Sequence, residues 1–201
     1  MTRSLPPIIL ASGSRIRAEI LAGAGVTAKV KPVTVDEAAL HAEMAQPTVP
    51  HELAVRLAEA KARASAVANP EAFVIGADQV LSLNGKVFAK PASAAAAADQ
   101  LRRLRGATHR LDSAFACMRG DRLIATEVDG AELTMRAFSD EFLKFYVDAA
   151  GPGILDSVGG YQLEGLGAQL FERIEGDYFT ILGLPLLPLL AVLRTEGLLS
   201  S

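Results

Sequence analysis

The chain has 201 residues, with 20 Lys and Arg against 23 Asp and Glu, a formal charge of −3 and one Cys. That balance is ordinary for a globular protein and poor for a general nucleic-acid binder, whose affinity comes from neutralising phosphates. A lone Cys excludes an intrachain disulfide, and the longest apolar stretch, 181–193, is broken by Pro185 and Pro188, well short of the roughly 20 residues a membrane span requires.

Residues 7–10 read as a buried strand entering a loop of Ser12, Gly13 and Ser14. A helix follows from Arg15, with Ser14 as its cap and Ile16, Ile20 and Leu21 on one side, stopping at Gly23 or Gly25. Strand, small-residue loop and helix start aim amides and helix dipole at one place, which suits an anion; the same start also occurs in α/β folds that bind nothing there. The first residues are apolar for too few positions to form a secretory signal core, so a soluble cytoplasmic chain is expected.

Residues 26–33 read as a second strand leading to Asp36 and Glu37. The clearest helix is 51–67, with Leu53, Leu57, Ala60 and Ala64 on one face and Glu52, Arg56, Glu59 and Arg63 nearly opposite. Lys61 sits about 40° from Leu57, on the core-facing side. A buried, unpaired ammonium is costly, so Lys61 either snorkels or meets an anion.

Residues 73–75 read as a buried strand ending at Gly76, Ala77 and Asp78, a common place for chemistry in α/β proteins. Asn84 and Gly85 mark a hairpin between 80–83 and 86–89. A two-residue turn there sets Leu83 opposite Lys86 and Gln79 opposite Lys90, bringing Lys90 close to Asp78. The bland alternative is a surface salt bridge.

Residues 92–104 read as an Ala-rich helix whose closing arginines form a solvated end. Two long strands, 108–118 and 122–137, turn at Gly120 and Asp121, with Cys117 in the core. A helix over 139–149 is capped by Ser139, and a Gly-rich loop over 151–167 carries Asp156, Tyr161, Gln162 and Glu164. A strand over 169–174, a turn at Gly176 and Asp177 and a helix over 184–196 complete the chain. His41, His51 and His109 lack metal-ligand spacing and read as surface residues.

The acids Glu37, Asp78 and Glu164 and the bases Arg15, Arg17, Lys61 and Lys90 fall mostly beside strand ends, small-residue loops or helix starts. Several cations with a few carboxylates describe a site for a phosphate ester and a divalent metal, with a carboxylate as general base. There is no Walker A pattern, no dinucleotide fingerprint and no Gly-x-Ser-x-Gly elbow. From the residues alone the chain is a phosphate-binding, metal-assisted α/β enzyme.

Ile9-Leu10-Ala11-Ser12-Gly13-Ser14 with Arg17, Glu19, Ile20 and Leu21 resembles the opening signature of the Maf family of nucleotide pyrophosphatases. Asp36-Glu37, Leu57-Ala58 with Lys61-Ala62, Val74 to Val80 with Gly85 and Lys90-Pro91, Gly159 with Tyr161, Glu164-Gly165 and Gly183 to Leu186 resemble its later blocks, in order. The resemblance spans nearly the whole chain and implies one domain over 1–201. The fold it implies is α/β, an elongated mixed sheet flanked by helices, similar to inosine-triphosphate pyrophosphatases, with a cleft between two lobes.

The activity it implies is hydrolysis of a nucleoside triphosphate to monophosphate and pyrophosphate with a divalent cation (Mg, Mn or Co), and a homodimer is implied as well. By motif, Asp78 is general base and metal carboxylate, Glu37 a metal ligand, and Ser12, Arg17, Lys61 and Lys90 grip phosphates. Two cations of the family pattern are replaced, at Ile16 and Ser157. Arg15 sits where it can pair with Glu19 rather than compensate.

Glu164 stands where thymidine- and uridine-triphosphate members have Gln. A carboxylate there would accept from a guanine edge and favour a cationic methylated ring, so the reading leans to 7-methyl-GTP. The alternatives are a dTTP- or UTP-preferring enzyme and a weakly active nucleotide-binding regulator of septum formation.

Overall fold

A computed structural model describes residues 5–44 and 48–200; the expected unit of 1–201 includes 1–4, 45–47 and 201, which lie outside the described residues. The order is β1 (Ile8–Leu10), α1 (Arg15–Gly23), β2 (Ala28–Val30), α2 (Glu37–Ala42), α3 (Pro50–Ala68), β3 (Phe73–Leu83), β4 (Lys86–Phe88) and α4 (Ala94–Leu104). β5 (Thr108–Arg119), β6 (Arg122–Met135), α5 (Asp140–Ala150), β7 (Phe171–Glu175), α6 (Tyr178–Ile181) and α7 (Leu186–Thr195) follow. The Gly-rich segment before β7 is a series of three short 3-10 turns.

The strands form one mixed sheet in the order β2-β1-β3-β5-β6-β7, with β4 also on β3. β1 is parallel to β2 and β3, and every other pairing is antiparallel. β5 occupies one edge of β3 from Phe73 to Ser82. β1 and β4 therefore share the opposite edge, β1 against Phe73 to Ile75 and β4 against Leu81 to Leu83. Between them, residues 76–80 have no ladder partner on that side. Buried backbone groups must be paired somehow, so this break is where side chains are needed.

Three clusters of buried residues cover the sheet. Ala54, Leu57, Ala58 and Ala62 of α3 pack on Val74, Val80 and Met118. On the other face, α1 and α7 cover Phe73, Ile75 and Cys117 at one end, while α4, α5 and the 3-10 turns cover Leu81, Leu111 and Leu133 at the other. Alternation along β3 follows directly: Phe73 and Ile75 face one way, Val74 and Val80 the other.

Several expectations are corrected. The strand from Phe73 does not stop at Gly76, because β5 pairs across it without interruption; Asp78 lies inside an 11-residue strand. The second strand is only Ala28–Val30, since its one partner is a three-residue strand. The buried face of α3 is Leu53, Ala54, Leu57, Ala58, Ala62, Ser65 and Ala66 rather than the stripe through Ala60 and Ala64. A Cβ on Gly76 would come within 2.2 Å of the Ala58 carbonyl oxygen and 2.4 Å of the Ala62 nitrogen, so helix and strand touch backbone to backbone. That close approach selects the small-residue face.

His109 is not at the surface. It is 2% exposed, its Nε2 lies 2.7 Å from the Tyr161 hydroxyl, and its ring packs near Phe171. An inward position on a long strand outweighs the polarity of the ring.

Candidate active site

A cleft of about 1000 Å³ opens where the three clusters meet. Its lining includes Ser12, Arg17, Glu37, Lys61, Asp78, Lys90 and Glu164. All seven residues singled out from the sequence therefore face one space, and five of them form a connected chain of polar contacts.

Asp78 is the centre of that chain. It shares the α3-facing side of β3 with Val74 and Gly76, and the contact of Gly76 with α3 delivers Lys61 to it. Lys61 Nζ donates to Asp78 Oδ2 at 3.1 Å and lies 2.8 Å from Glu37 Oε1, joining two carboxylates through one ammonium. The Lys61 and Asp78 side chains are 13% and 14% exposed, so the pair sits at the cleft floor rather than in bulk water. Of the two outcomes its position allowed, Lys61 has met an anion.

Arg17 is buried on α1 with Ile20 and Leu21, and Ser14 caps the helix by accepting from the Arg17 backbone N–H. Its Nε donates to the Gly183 carbonyl at 2.7 Å, and its Nη1 donates to Ser12 Oγ and to the Ala77 carbonyl, both at 3.0 Å. Nη2 lies 4.0 Å from Asp78 Oδ1. Ala77 is one of the residues in the unpartnered stretch of β3, so the guanidinium fills the place a neighbouring strand would take. The Gln79 backbone N–H, also in that stretch, donates to Asp78 Oδ1 at 2.9 Å. Burial holds the Arg17 guanidinium below its ordinary value, and the charges of Asp78 and Glu37 oppose the shift.

Glu37 is the first residue of α2, whose cap is Asp36, accepting from the Ala39 N–H. Lys90 and Glu164 line the cleft and are exposed, without joining the chain of contacts. The hairpin has the expected register, Leu83 opposite Lys86, but pairing ends at Leu81 and Phe88. Among the described residues no ion pair links Lys90 to Asp78; the cations beside Asp78 are Lys61 and Arg17. Arg15 pairs with Glu19 at 2.8 Å on the outer face of α1, and so does not replace the cation absent at Ile16.

Gln79 carries more than the sequence indicated. Its Nε2 lies within hydrogen-bond distance of Ser113 Oγ, the Thr180 carbonyl and the Ile181 carbonyl, at 3.0, 3.2 and 2.9 Å. Ser113 and Thr180 are fully buried. In the sequence Gln79 stood out through its place beside Asp78 in the Val74 to Val80 block that resembles the family, and nothing local pointed to these contacts.

The Maf-like protein family matches residues 7–196. A nucleoside triphosphate pyrophosphatase of Nitrobacter winogradskyi is 50% identical over 98% of both chains. A 7-methyl-GTP pyrophosphatase of Rhizobium etli is 47% identical over 96% of this chain and 97% of its own. Among solved structures, a HAM1 protein from Coxiella burnetii is similar over 66% of this chain and 74% of its own, at 16% identity and a TM-score of 0.40, too slight a likeness to argue from. With the match to the family spanning the sheet, the cleft and every residue of the polar chain at its floor, the protein belongs to the Maf-like family.

Proposed function

We propose that the chain hydrolyses nucleoside triphosphates between the α and β phosphates, releasing monophosphate and pyrophosphate, with 7-methyl-GTP as the favoured substrate. The observation that carries this is the Asp78 carboxylate, fixed between Lys61, Arg17 and the Gln79 N–H at the floor of a cleft large enough for a nucleotide. Relatives named nucleoside triphosphate pyrophosphatase or 7-methyl-GTP pyrophosphatase, at 45–50% identity, support it.

In this mechanism Asp78 takes a proton from a water attacking the α phosphorus, the bond from that phosphorus to the bridging oxygen breaks, and pyrophosphate leaves with the bond electrons. Lys61, Lys90, the Ser12 hydroxyl and the remaining N–H groups of Arg17 Nη2 offset the phosphate charge. Glu37 and Asp78, already close enough to share one ammonium, are hard oxygen donors that fit Mg²⁺, Mn²⁺ or Co²⁺ and would hold the ion. When bound, a divalent ion neutralises phosphate charge and polarises the phosphoryl group.

Glu164, on the wall built by residues 156–164, would accept from the N1–H and 2-amino group of a 7-methylguanine. The chain works in the cytoplasm as a homodimer in this reading, apart from nucleic acid and membrane; among the described residues no helix is long and apolar enough to cross a membrane. A second reading, a nucleotide-binding regulator of cell division with little turnover, is favoured by one observation: Arg15 turns to Glu19 and leaves the Ile16 position without a cation.

Pyrophosphate release from 7-methyl-GTP, dTTP, UTP and ITP, with each metal in turn, separates the readings. Release dominated by 7-methyl-GTP is expected. A pyrimidine preference would retain the enzyme and reject the role of Glu164, while no release from any triphosphate would favour the regulator. Asp78→Asn should remove turnover and leave nucleotide binding within a few-fold.

A further inference from the structure

From the contacts on either side of Asp78 we infer that Gln79 is a positioning residue, which clamps β3 to the α6 turn so that the Asp78 carboxylate is held in one orientation, and that it does not read the base. The inference rests on the proposed function for its kinetic consequences, though not for its geometry.

Asp78 lies in the break of the β3 edge, where neither β1 nor β4 supplies a ladder. β5 holds β3 along one edge here, but the other edge is open over several residues, so side-chain contacts on that side are what fix the strand and the carboxylate against twisting. The residues immediately before and after Asp78 are instead tied to the same short segment, 180–183. Before it, the Ala77 carbonyl accepts from Arg17 Nη1, and Arg17 Nε donates onward to the Gly183 carbonyl. After it, the Gln79 amide nitrogen reaches the Thr180 and Ile181 carbonyls and Ser113 Oγ.

The segment is itself anchored to the sheet. Ser113 Oγ donates to the Thr180 carbonyl at 2.7 Å, and Thr180 Oγ1 donates to Asp129 Oδ2 at 2.8 Å. Asp177 caps α6 by accepting from the Thr180 N–H at 2.9 Å. Strands β3, β5 and β6 therefore all converge on one four-residue helix. Gly183, at φ +103°, allows its carbonyl to meet Arg17: a Cβ there would lie 3.2 Å from Arg17 Nε.

A primary amide has two N–H bonds, and the three oxygens beside Gln79 Nε2 are protein groups. Its donors are spent before a nucleotide arrives. Although Gln79 lines the cleft, it has no amide donor left to offer a base.

The test compares the unaltered protein with Gln79→Met, which retains length without donors, and Gln79→Glu, which retains shape but sets a carboxylate against three oxygens. For 7-methyl-GTP with Mg²⁺, kcat should fall about 10- to 100-fold in Gln79→Met and further in Gln79→Glu, as for a displaced catalytic group. KM should stay within about threefold, and the ratio of rates on 7-methyl-GTP and dTTP should not move. A changed rate ratio, or a loss confined to KM, would overturn the inference.

Ser113→Ala removes one of the same contacts more gently. It should shift kcat in the same direction by a smaller factor, and it carries the test if both Gln79 variants fail to fold. If the unaltered chain releases no pyrophosphate, the proposed function has failed but the clamp is still decided by amide hydrogen exchange. The Ile181, Leu182, Gly183 and Leu184 N–H groups, each bonded within the α6 turn, should exchange faster in Gln79→Met. Unchanged protection there would refute the clamp.

Discussion

Arg17 is a guanidinium mostly used up by its own protein. The family resemblance marks it as a phosphate contact and it lines the cleft, yet Nε and Nη1 are committed to Gly183, Ser12 and Ala77. Arg17→Lys would keep the charge and lose the fork. Stability should fall by about 2 kcal/mol or more in urea unfolding, beyond any effect on nucleotide binding.

His109 gives a prediction in pH. Burial pushes its pKa down from 6.5 to about 4, so between those values the unfolded chain holds more protons than the folded one. Stability is therefore complete above about pH 6.5 and is lost as the pH falls towards 4, with a slope of at most about 1.4 kcal/mol per unit. Urea midpoints measured between pH 7 and 4.5 should fall, and His109→Phe should flatten the fall. Neither the strut role of Arg17 nor the burial of His109 was legible beforehand, because each depends on a neighbour far away in sequence: Gly183 for one, Tyr161 for the other.

At the scale of elements, the helices and their caps were largely readable. Ser14 and Ser139 accept from the third residue of α1 and α5, a local bond that a local pattern encodes; Ser93 does the same for α4, which was expected from the sequence to begin too early, at 92. The face of α3 was not, since the helix periodicity fits two nearby stripes and only Gly76 chooses between them. Gly76→Ala should therefore act on two elements at once. The added methyl has to push α3 off β3, costing about 1–3 kcal/mol by overpacking.

 Lys61 would move with the helix, so activity should drop more than the loss of stability alone explains, a comparison made by measuring kcat well below the unfolding temperature. The break in the β3 edge was invisible for a related reason. β1 and β4 lie far apart in the chain, and nothing in either says that they share one side of a third strand.

For the whole molecule, the sequence conveyed the α/β class, the order of most strands and helices, and a common location for the seven site residues. Those features are repeated in many local patterns, each pointing the same way. What it withheld is how the three buried clusters divide the sheet, and with them the cleft that all three border. A ligand in that cleft touches every cluster, so a bound nucleotide should stabilise the chain as a unit. A single raised melting transition is expected with 7-methyl-GTP and Mg²⁺, rather than two separate ones.

The bond from Arg17 to Gly183 joins residues 166 positions apart. Closing so long a loop is slow and comes after local structure, and here it is required before the strand that carries Asp78 is braced. Helical signal should then recover early in refolding from urea, and hydrolysis only with the slowest phase. A chain interrupted at any stage short of that clasp would be folded in appearance and inert, which makes turnover itself the most stringent clock for the end of folding.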